Sequence, residues 1–188
     1  MKFLILEGIA TSGKSTVINS IKKQLPNLDL RVALEPETHI PIMKQTDELH
    51  ITFFENLINL LVAEKHDLII FDRLYLTQAF RAGVSLHEYY GLEKTLANAG
   101  AISVFLNIEE DAIAERIAKA TEHRDPSWGE YTKTKGSSIT EIANYYITQQ
   151  RNQMKLLETS SLPYMVCNTR DHNYTEIAQQ ILEELQLE

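Results

Sequence analysis

Cysteine is almost absent: Cys167 is the only one in 188 residues. No internal disulfide can form, which fits a reducing, intracellular compartment. Positive charge is also scarce. Eighteen Lys and Arg face 26 Asp and Glu, a net charge of −8, so the chain has no general attraction for nucleic acid or an anionic membrane. Any anion it binds must be held by a local concentration of N–H groups and cations. No stretch approaches the ~20 apolar residues that span a bilayer. The opening "MKFLILEG" lacks the long apolar region and cleavage site of a signal peptide. A soluble, cytoplasmic protein is therefore expected. His39, His50, His66, His87, His123 and His172 show no metal-ligand spacing, and with one cysteine no zinc site is expected. Internal repeats, low-complexity tracts and Pro/Gly-rich linkers are missing too, so residues 1–188 are expected to form one domain.

What is present alternates. Short, nearly continuous apolar runs at Phe3–Leu6, Leu30–Leu34, Leu68–Phe71, Ile102–Leu106 and Tyr164–Val166 have the length of strands covered on both faces. Helical patterns separate them: one after the first run stopped by Pro26, one over Thr46–Glu64, and one from Tyr75 onward. Asn107 is placed to cap a helix running through Arg116, and Ser138 with Glu141 forms a capping-box pattern. Tyr174, Ile177, Ala178, Ile181, Leu182 and Leu185 make one apolar stripe of a last helix. Strands alternating with helices imply right-handed parallel crossovers. The expected fold is α/β, a five-stranded parallel sheet with helices on both faces, binding ligands beyond the carboxyl ends of its strands. Thr121–Ser137 breaks the pattern. It is polar, holds Pro126, Gly129 and Gly136, and reads as a long loop of the kind that serves as a lid, spanning roughly 119–138.

The most informative stretch is "LILEGIATSGKST". Gly8, Ile9, Ala10, Thr11, Ser12, Gly13, Lys14 and Ser15 fit the Walker A pattern G-x-x-x-x-G-K-[ST], with Thr16 following, between a strand and a helix. Glycines let backbone N–H groups turn inward and approach phosphate oxygens, and the helix start adds its positive end. Lys14 supplies a charge for the terminal phosphates, and Ser15 a hydroxyl for Mg²⁺. The pattern predicts a P-loop that binds ATP with Mg²⁺. "DLIIFDR" then ends a strand in Asp72-Arg73, where Asp72 can hold the metal or its waters. A GTPase-like switch is disfavoured. Asp72-Arg73-Leu74-Tyr75 lacks the glycine of D-x-x-G, and Asn168-Thr169-Arg170-Asp171 lacks the lysine of N-K-x-D.

Taken in order, "FLILEGIATSGKST", "EP" after the second strand and "DRLYLTQAF" after the third resemble the thymidylate kinase and deoxynucleoside kinase group, a branch of the nucleoside monophosphate kinase-like P-loop proteins. The resemblance covers most of the chain. It implies transfer of the γ-phosphate of ATP to a nucleoside monophosphate such as dTMP, or to a deoxynucleoside, by a homodimer. It also implies that Arg73 holds the acceptor near the transfer line and that Phe80 lies near an acceptor base; the alternative for Phe80 is a core aromatic. Arg116 and Arg124 resemble the group's lid arginines, the alternative for each being a solvated helix charge.

Three departures leave the acceptor open. Leu34 stands where thymidylate kinases usually carry an arginine, Ala10 where many carry an acidic residue, and the tryptophan that follows Glu-Pro in deoxynucleoside kinases is missing. Glu35 carries the distinction. A sugar hydroxyl benefits from a carboxylate that accepts its proton, whereas a phosphate acceptor, with a second pKa of about 6, needs cations instead. A P-loop kinase of another metabolite, or an ATP-binding relative with little turnover, is the alternative. "NTRD", Asn168–Asp171, is a candidate flank for the donor base.

Overall fold

The computed structural model describes residues 1–42 and 47–187. In chain order they form β1 (Lys2–Glu7), α1 (Lys14–Gln24), β2 (Leu30–Ala33), a short α2 (Glu35–Thr38) and α3 (Asp47–Glu64). Next come β3 (Leu68–Asp72), α4 (Tyr75–Ala82), α5 (Tyr90–Asn98), β4 (Ala101–Asn107), α6 (Glu110–His123) and α7 (Pro126–Lys133). The chain ends in α8 (Ile139–Leu157), β5 (Tyr164–Asn168) and α9 (Tyr174–Glu184). Thr46, the expected start of the second long helix, lies outside the described residues.

The five strands are all parallel, in the order β2-β3-β1-β4-β5. Strand side chains alternate between faces, and the sequence fills both. Phe3, Ile5, Ile69, Phe71 and Phe105 point into one core with α3, α4 and α5. Leu4, Leu6, Ile70, Val104 and Leu106 point into the other with α1 and α9. Two-sided burial is why β1, β3 and β4 read as unbroken apolar runs rather than alternating ones; β5, at the sheet edge, departs from the expectation, with Tyr164 and Val166 exposed on one face. A smaller cluster joins Ile9 of the phosphate loop to Ile113 and Ile117 of α6 and to Ile142 and Tyr146 of α8.

The chain order reverses at β1, which pairs with β3 on one side and β4 on the other. Such a switch point opens a crevice at the strand ends. Leu6 is in register with Asp72, and the Arg73 N–H donates to the Leu6 carbonyl at 3.0 Å. Parallel pairing therefore brings Gly8 and Arg73 side by side although 65 residues separate them.

Local details differ from the sequence expectations. Thr121–Ser137 is not a structureless loop: α6 runs on to His123, and Asp125 accepts from the Ser127 N–H at 2.8 Å to start α7. Pro126 suits the first turn of that helix because its missing N–H would have no partner there. Asn107 does not cap α6; it ends β4, and its carbonyl accepts from Thr169. Ser138 does cap α8, but Glu141 reaches Ser137 rather than closing the box on Ser138. Among the described residues no helix is long and apolar enough to cross a membrane.

Candidate active site

The loop from Gly8 to Gly13 joins β1 to α1. Gly8 and Gly13 have φ of 136° and 97°. A Cβ on Gly8 would sit 2.7 Å from the Leu106 carbonyl, and one on Gly13 would sit 2.1 Å from the Tyr174 ring. Both glycines are thus required by conformation and by space. Thr11 adopts φ of 67° without being glycine, a strained position of the kind found at ligand-binding loops.

Lys14, the first residue of α1, is buried and folded back on its own loop. Its Nζ donates to the Gly8 and Ile9 carbonyls at 3.0 and 3.1 Å. Burial, and after it the nearby Arg73 guanidinium, lower its ammonium pKa to about 7. Arg73 is equally buried, at φ of 70°, and donates to the Gly8 carbonyl at 2.7 Å. Two cations therefore converge on a loop whose N–H groups suit an anion.

Glu35 opens α2 at the end of β2, with Pro36 in the first turn. Its carboxylate meets Arg73 Nε at 3.3 Å and Arg81 Nη2 at 2.7 Å. Burial works to raise its pKa, but the charges of Arg73 and Arg81 prevail and hold it at about 2. It is an anion at any physiological pH. Behind it lies His39, which burial holds down at about 3. That neutral ring donates from Nε2 to the Leu74 carbonyl at 3.1 Å and accepts at Nδ1 from Thr38.

Beneath this layer is Glu7, which has no exposed surface. It accepts from the backbone N–H groups of Leu74 at 2.9 Å and Thr77 at 3.3 Å, and from the Thr77 hydroxyl. These N–H groups open α4, so Glu7 caps a helix that begins 68 residues later in the chain (Tyr75). The Thr77 hydroxyl also accepts from Gln153 of α8 at 3.1 Å. Glu7 thereby fixes the Asp72-Arg73-Leu74 turn against the phosphate loop.

Two cavities meet here. One, of about 310 Å³, is walled by the loop, with Lys14, Ser15, Asp72, Arg124 and Tyr174. The other, of about 320 Å³, is walled by Pro36, His39, Arg81, Tyr131, Tyr146 and Gln149. Ala10, Glu35, Arg73 and Trp128 belong to both. Arg124 stacks over the Trp128 ring, 4.5 Å from its centroid. Asp72 Oδ1 is buried without a hydrogen-bond partner among the described residues, and Asp72 and Ser15 both line the first cavity. One carboxylate and one hydroxyl fit a Mg²⁺ that takes most of its ligands from phosphates and water. Among the described residues no group of three or more His, Cys, Asp or Glu could hold a metal alone.

Two expected site residues line neither of these cavities. Phe80 is not in the wall of the second cavity; the next residue, Arg81, is. On α4, Gln78 and Arg81 share a side one turn apart, and Phe80 is rotated about 100° from Arg81. Arg116 does not reach the loop cavity. It is buried, donating to the hydroxyl and carbonyl of Thr169, to Tyr174 and to the Arg170 carbonyl. It instead lines a third cavity, of about 350 Å³, with Arg170, Asp171 and His172 of the β5–α9 turn. Asn168 bonds Glu109 and the Arg170 N–H. Sequence reasoning missed Glu7, Arg81, Tyr146, Gln149 and Tyr174. Of these only Glu7, a charge at the end of an apolar strand, carried a visible signal.

No protein-family model and no curated protein matches this sequence. Solved structures do match. YorR from Bacillus subtilis, solved with phosphorylated GDP, superposes with a TM-score of 0.65 at 19% identity, over 98% of this chain and 95% of its own. Deoxyadenosine kinase from M. mycoides gives 0.55 at 20% identity, over 97% and 99%. Shikimate kinase from Bacteroides thetaiotaomicron gives 0.56 at 15% identity, over 100% and 99%. At such identities the likeness establishes the fold alone: a five-stranded parallel sheet with helices on both faces.

Proposed function

We propose that the chain is an ATP- and Mg²⁺-dependent phosphotransferase of thymidylate kinase-like type, acting on a nucleoside or nucleoside monophosphate. The observation that carries this reading is the pair of cavities meeting at Glu35, Arg73 and Trp128, one walled by the Walker A loop with Lys14 and the other by Pro36, His39, Tyr131 and Tyr146. A nucleotide-hydrolysing switch has no need of the second.

In this reading the loop N–H groups and Lys14 take the phosphates of ATP, and Lys14 exchanges its bonds to Gly8 and Ile9 for phosphate oxygens. Asp72 and Ser15 hold Mg²⁺, which neutralises charge on the terminal phosphates when bound. Arg73 lies where donor and acceptor cavities join and can face the transferred group. Arg124 extends over the first cavity from the lid, which on this reading comprises the end of α6 and α7. Glu35, ionised and reaching the shared wall, can accept a hydrogen bond from an acceptor hydroxyl. With its pKa at about 2 it is a weak base, so it orients that hydroxyl more than it removes the proton. A phosphate acceptor would instead have to draw Arg73 and Arg81 away from it.

The reading for another metabolite keeps one support: structures of this fold include a shikimate kinase, whose named acceptor is not a nucleotide. Both readings are tested by ADP release from Mg²⁺-ATP, measured against nucleosides, nucleoside monophosphates and shikimate beside an acceptor-free control. Stimulation by a nucleoside or its monophosphate supports the proposal. ATP loss independent of any acceptor overturns it.

A further inference from the structure

Arg124 and Trp128 belong to a longer row of side chains. Arg124 stands 4.5 Å over the Trp128 ring, and Trp128 meets Tyr131 with ring centroids 5.9 Å apart. The Lys135 ammonium lies 4.8 Å from the centre of Tyr131 and 5.1 Å from the centre of Tyr145. Tyr145 in turn meets Tyr146 edge-on at 5.3 Å. Cations and aromatic rings thus run without a break from Arg124 at the first cavity to Tyr146 at the second.

The two ends of the row are held differently. Tyr146 is buried in the cluster of Ile113, Ile117 and Ile142, whereas Arg124 is exposed. Lys135 stands between them, in the connection from α7 to α8, and lines neither cavity. Its backbone is fixed on both sides. The Lys135 N–H donates to the Thr132 carbonyl at 2.9 Å. A Cβ on the next residue, Gly136, would sit 2.6 Å from the Glu141 side chain and 2.8 Å from the Ile142 nitrogen, so the connection packs directly on the first turn of α8. Other lysines of this region take carboxylate partners: Lys119 pairs with Glu115 at 2.6 Å and Lys133 with Glu130 at 2.7 Å. Lys135 has no carboxylate partner among the described residues and rests on two rings instead, one from each helix. An ammonium within about 6 Å of a ring centre is attracted to the ring's π-face, more strongly where water is partly excluded. Lys135 is half-buried.

We propose that Lys135 is a positioning residue: its ammonium clasps Tyr131 of α7 to Tyr145 of α8 and, through Trp128, sets where Arg124 stands at the first cavity. The kinetic consequence rests on the kinase reading, in which Arg124 extends over the bound phosphates; the clasp itself does not. Charge is what the position requires. Lys135→Gln keeps most of the stem and removes the attraction to both rings, whereas Lys135→Arg keeps a cation that also stacks on aromatic faces. Trp128 is the single tryptophan of the chain, so indole emission reports on this row alone.

The test uses the full chain. Without nucleotide, Lys135→Gln and Tyr145→Leu are each expected to make the Trp128 emission about twofold more quenchable by acrylamide. With Mg²⁺-ATP and the best acceptor of the panel above, both variants are expected to lower kcat about fivefold at an unchanged KM for ATP. Lys135→Arg is expected to restore both readings. Lys133→Gln, which removes a charge paired within its own helix, is the control and is expected to match the wild type. Unchanged quenching in Lys135→Gln and Tyr145→Leu overturns this inference alone, whatever the turnover. Altered quenching with an unmoved kcat also overturns it, since Arg124 is then placed by other contacts. A lower Tm with the KM for ATP raised and no rescue by arginine marks a general packing role and does the same. Failure of every acceptor to stimulate turnover overturns the kinase reading beneath it, and the quenching comparison then decides the clasp.

Discussion

The Walker A corner and the α6–α7 side face each other across the same crevice but are held by different means. At the corner, Glu7, Gly8, Lys14, Arg73 and Leu74 are buried; Lys14 and Arg73 both donate to the Gly8 carbonyl, and the Leu74 N–H donates to Glu7. Thr11 and Arg73 keep left-handed φ values there, which a loosely held loop would relax. On the α6–α7 side, Arg124 is exposed and rests on Trp128, and among the described residues Lys133 pairs with Glu130 of its own helix at 2.7 Å. Trp128 packs against the smaller apolar cluster around Ile113, Ile117 and Ile142. Stability is unevenly spread in such an arrangement. The corner concentrates buried charge, while the α6–α7 side presents exposed charge.

That contrast can be broken at several points, and the largest effect belongs to the corner. Lys14→Ala should lower kcat/KM by about 10³-fold, since it removes a fixed charge from the transferred phosphates; steady-state kinetics with ATP varied will show it, and a loss under tenfold would move the nucleotide elsewhere. Arg124→Ala should lower kcat by about 10²-fold with little change in the ATP KM. Arg116→Ala should do the reverse and weaken ATP, because its guanidinium holds the β5–α9 turn rather than the loop cavity; equal kinetic defects in the two variants would erase the distinction between them.

Glu7→Gln should cost about 2 kcal/mol in a denaturant titration, because an amide cannot accept from all three donors that the carboxylate serves. A kcat that falls with it, at unchanged ATP affinity, would show that the Arg73 turn has shifted. The pH dependence of ATP binding should follow Lys14. Its free-protein pKa is lowered to about 7, and phosphate selects the charged form, so affinity should be about tenfold weaker at about pH 8 than at about pH 6. A flat titration would mean that the ammonium is fully charged before ATP arrives. The smallest effect is expected at Phe80: Phe80→Ala should leave the acceptor KM within about twofold, and a larger rise would return that ring to the acceptor.

The corner is also the legible half. A strand, a glycine-bounded loop and a helix are contiguous in sequence, and their spacing states their chemistry. The second cavity takes Arg81 from α4, Trp128 and Tyr131 from α7, and Tyr146 and Gln149 from α8. Each of these reads, by itself, as an ordinary helix residue. Phe80 stands one position away from the residue that lines the cavity, and a sequence pattern cannot separate the two, since a helix turns about 100° per residue and packing sets its site-facing side. Arg116 and Arg124 look alike in charge and proximity along the chain, but α6 and the residue that follows it carry them to different cavities.

The five strands in chain order, the two-faced core of the central strands and the Walker A loop were determined by the sequence alone, because hydrophobic period and glycine spacing act over a few residues. Only the tertiary structure decided that Glu7 caps α4, that Glu35 lies between Arg73 and Arg81, and that Tyr146 has no partner among the described residues. Those facts depend on which strand ends the parallel sheet brings together and which side each helix turns inward, and neither is written in any short stretch of chain.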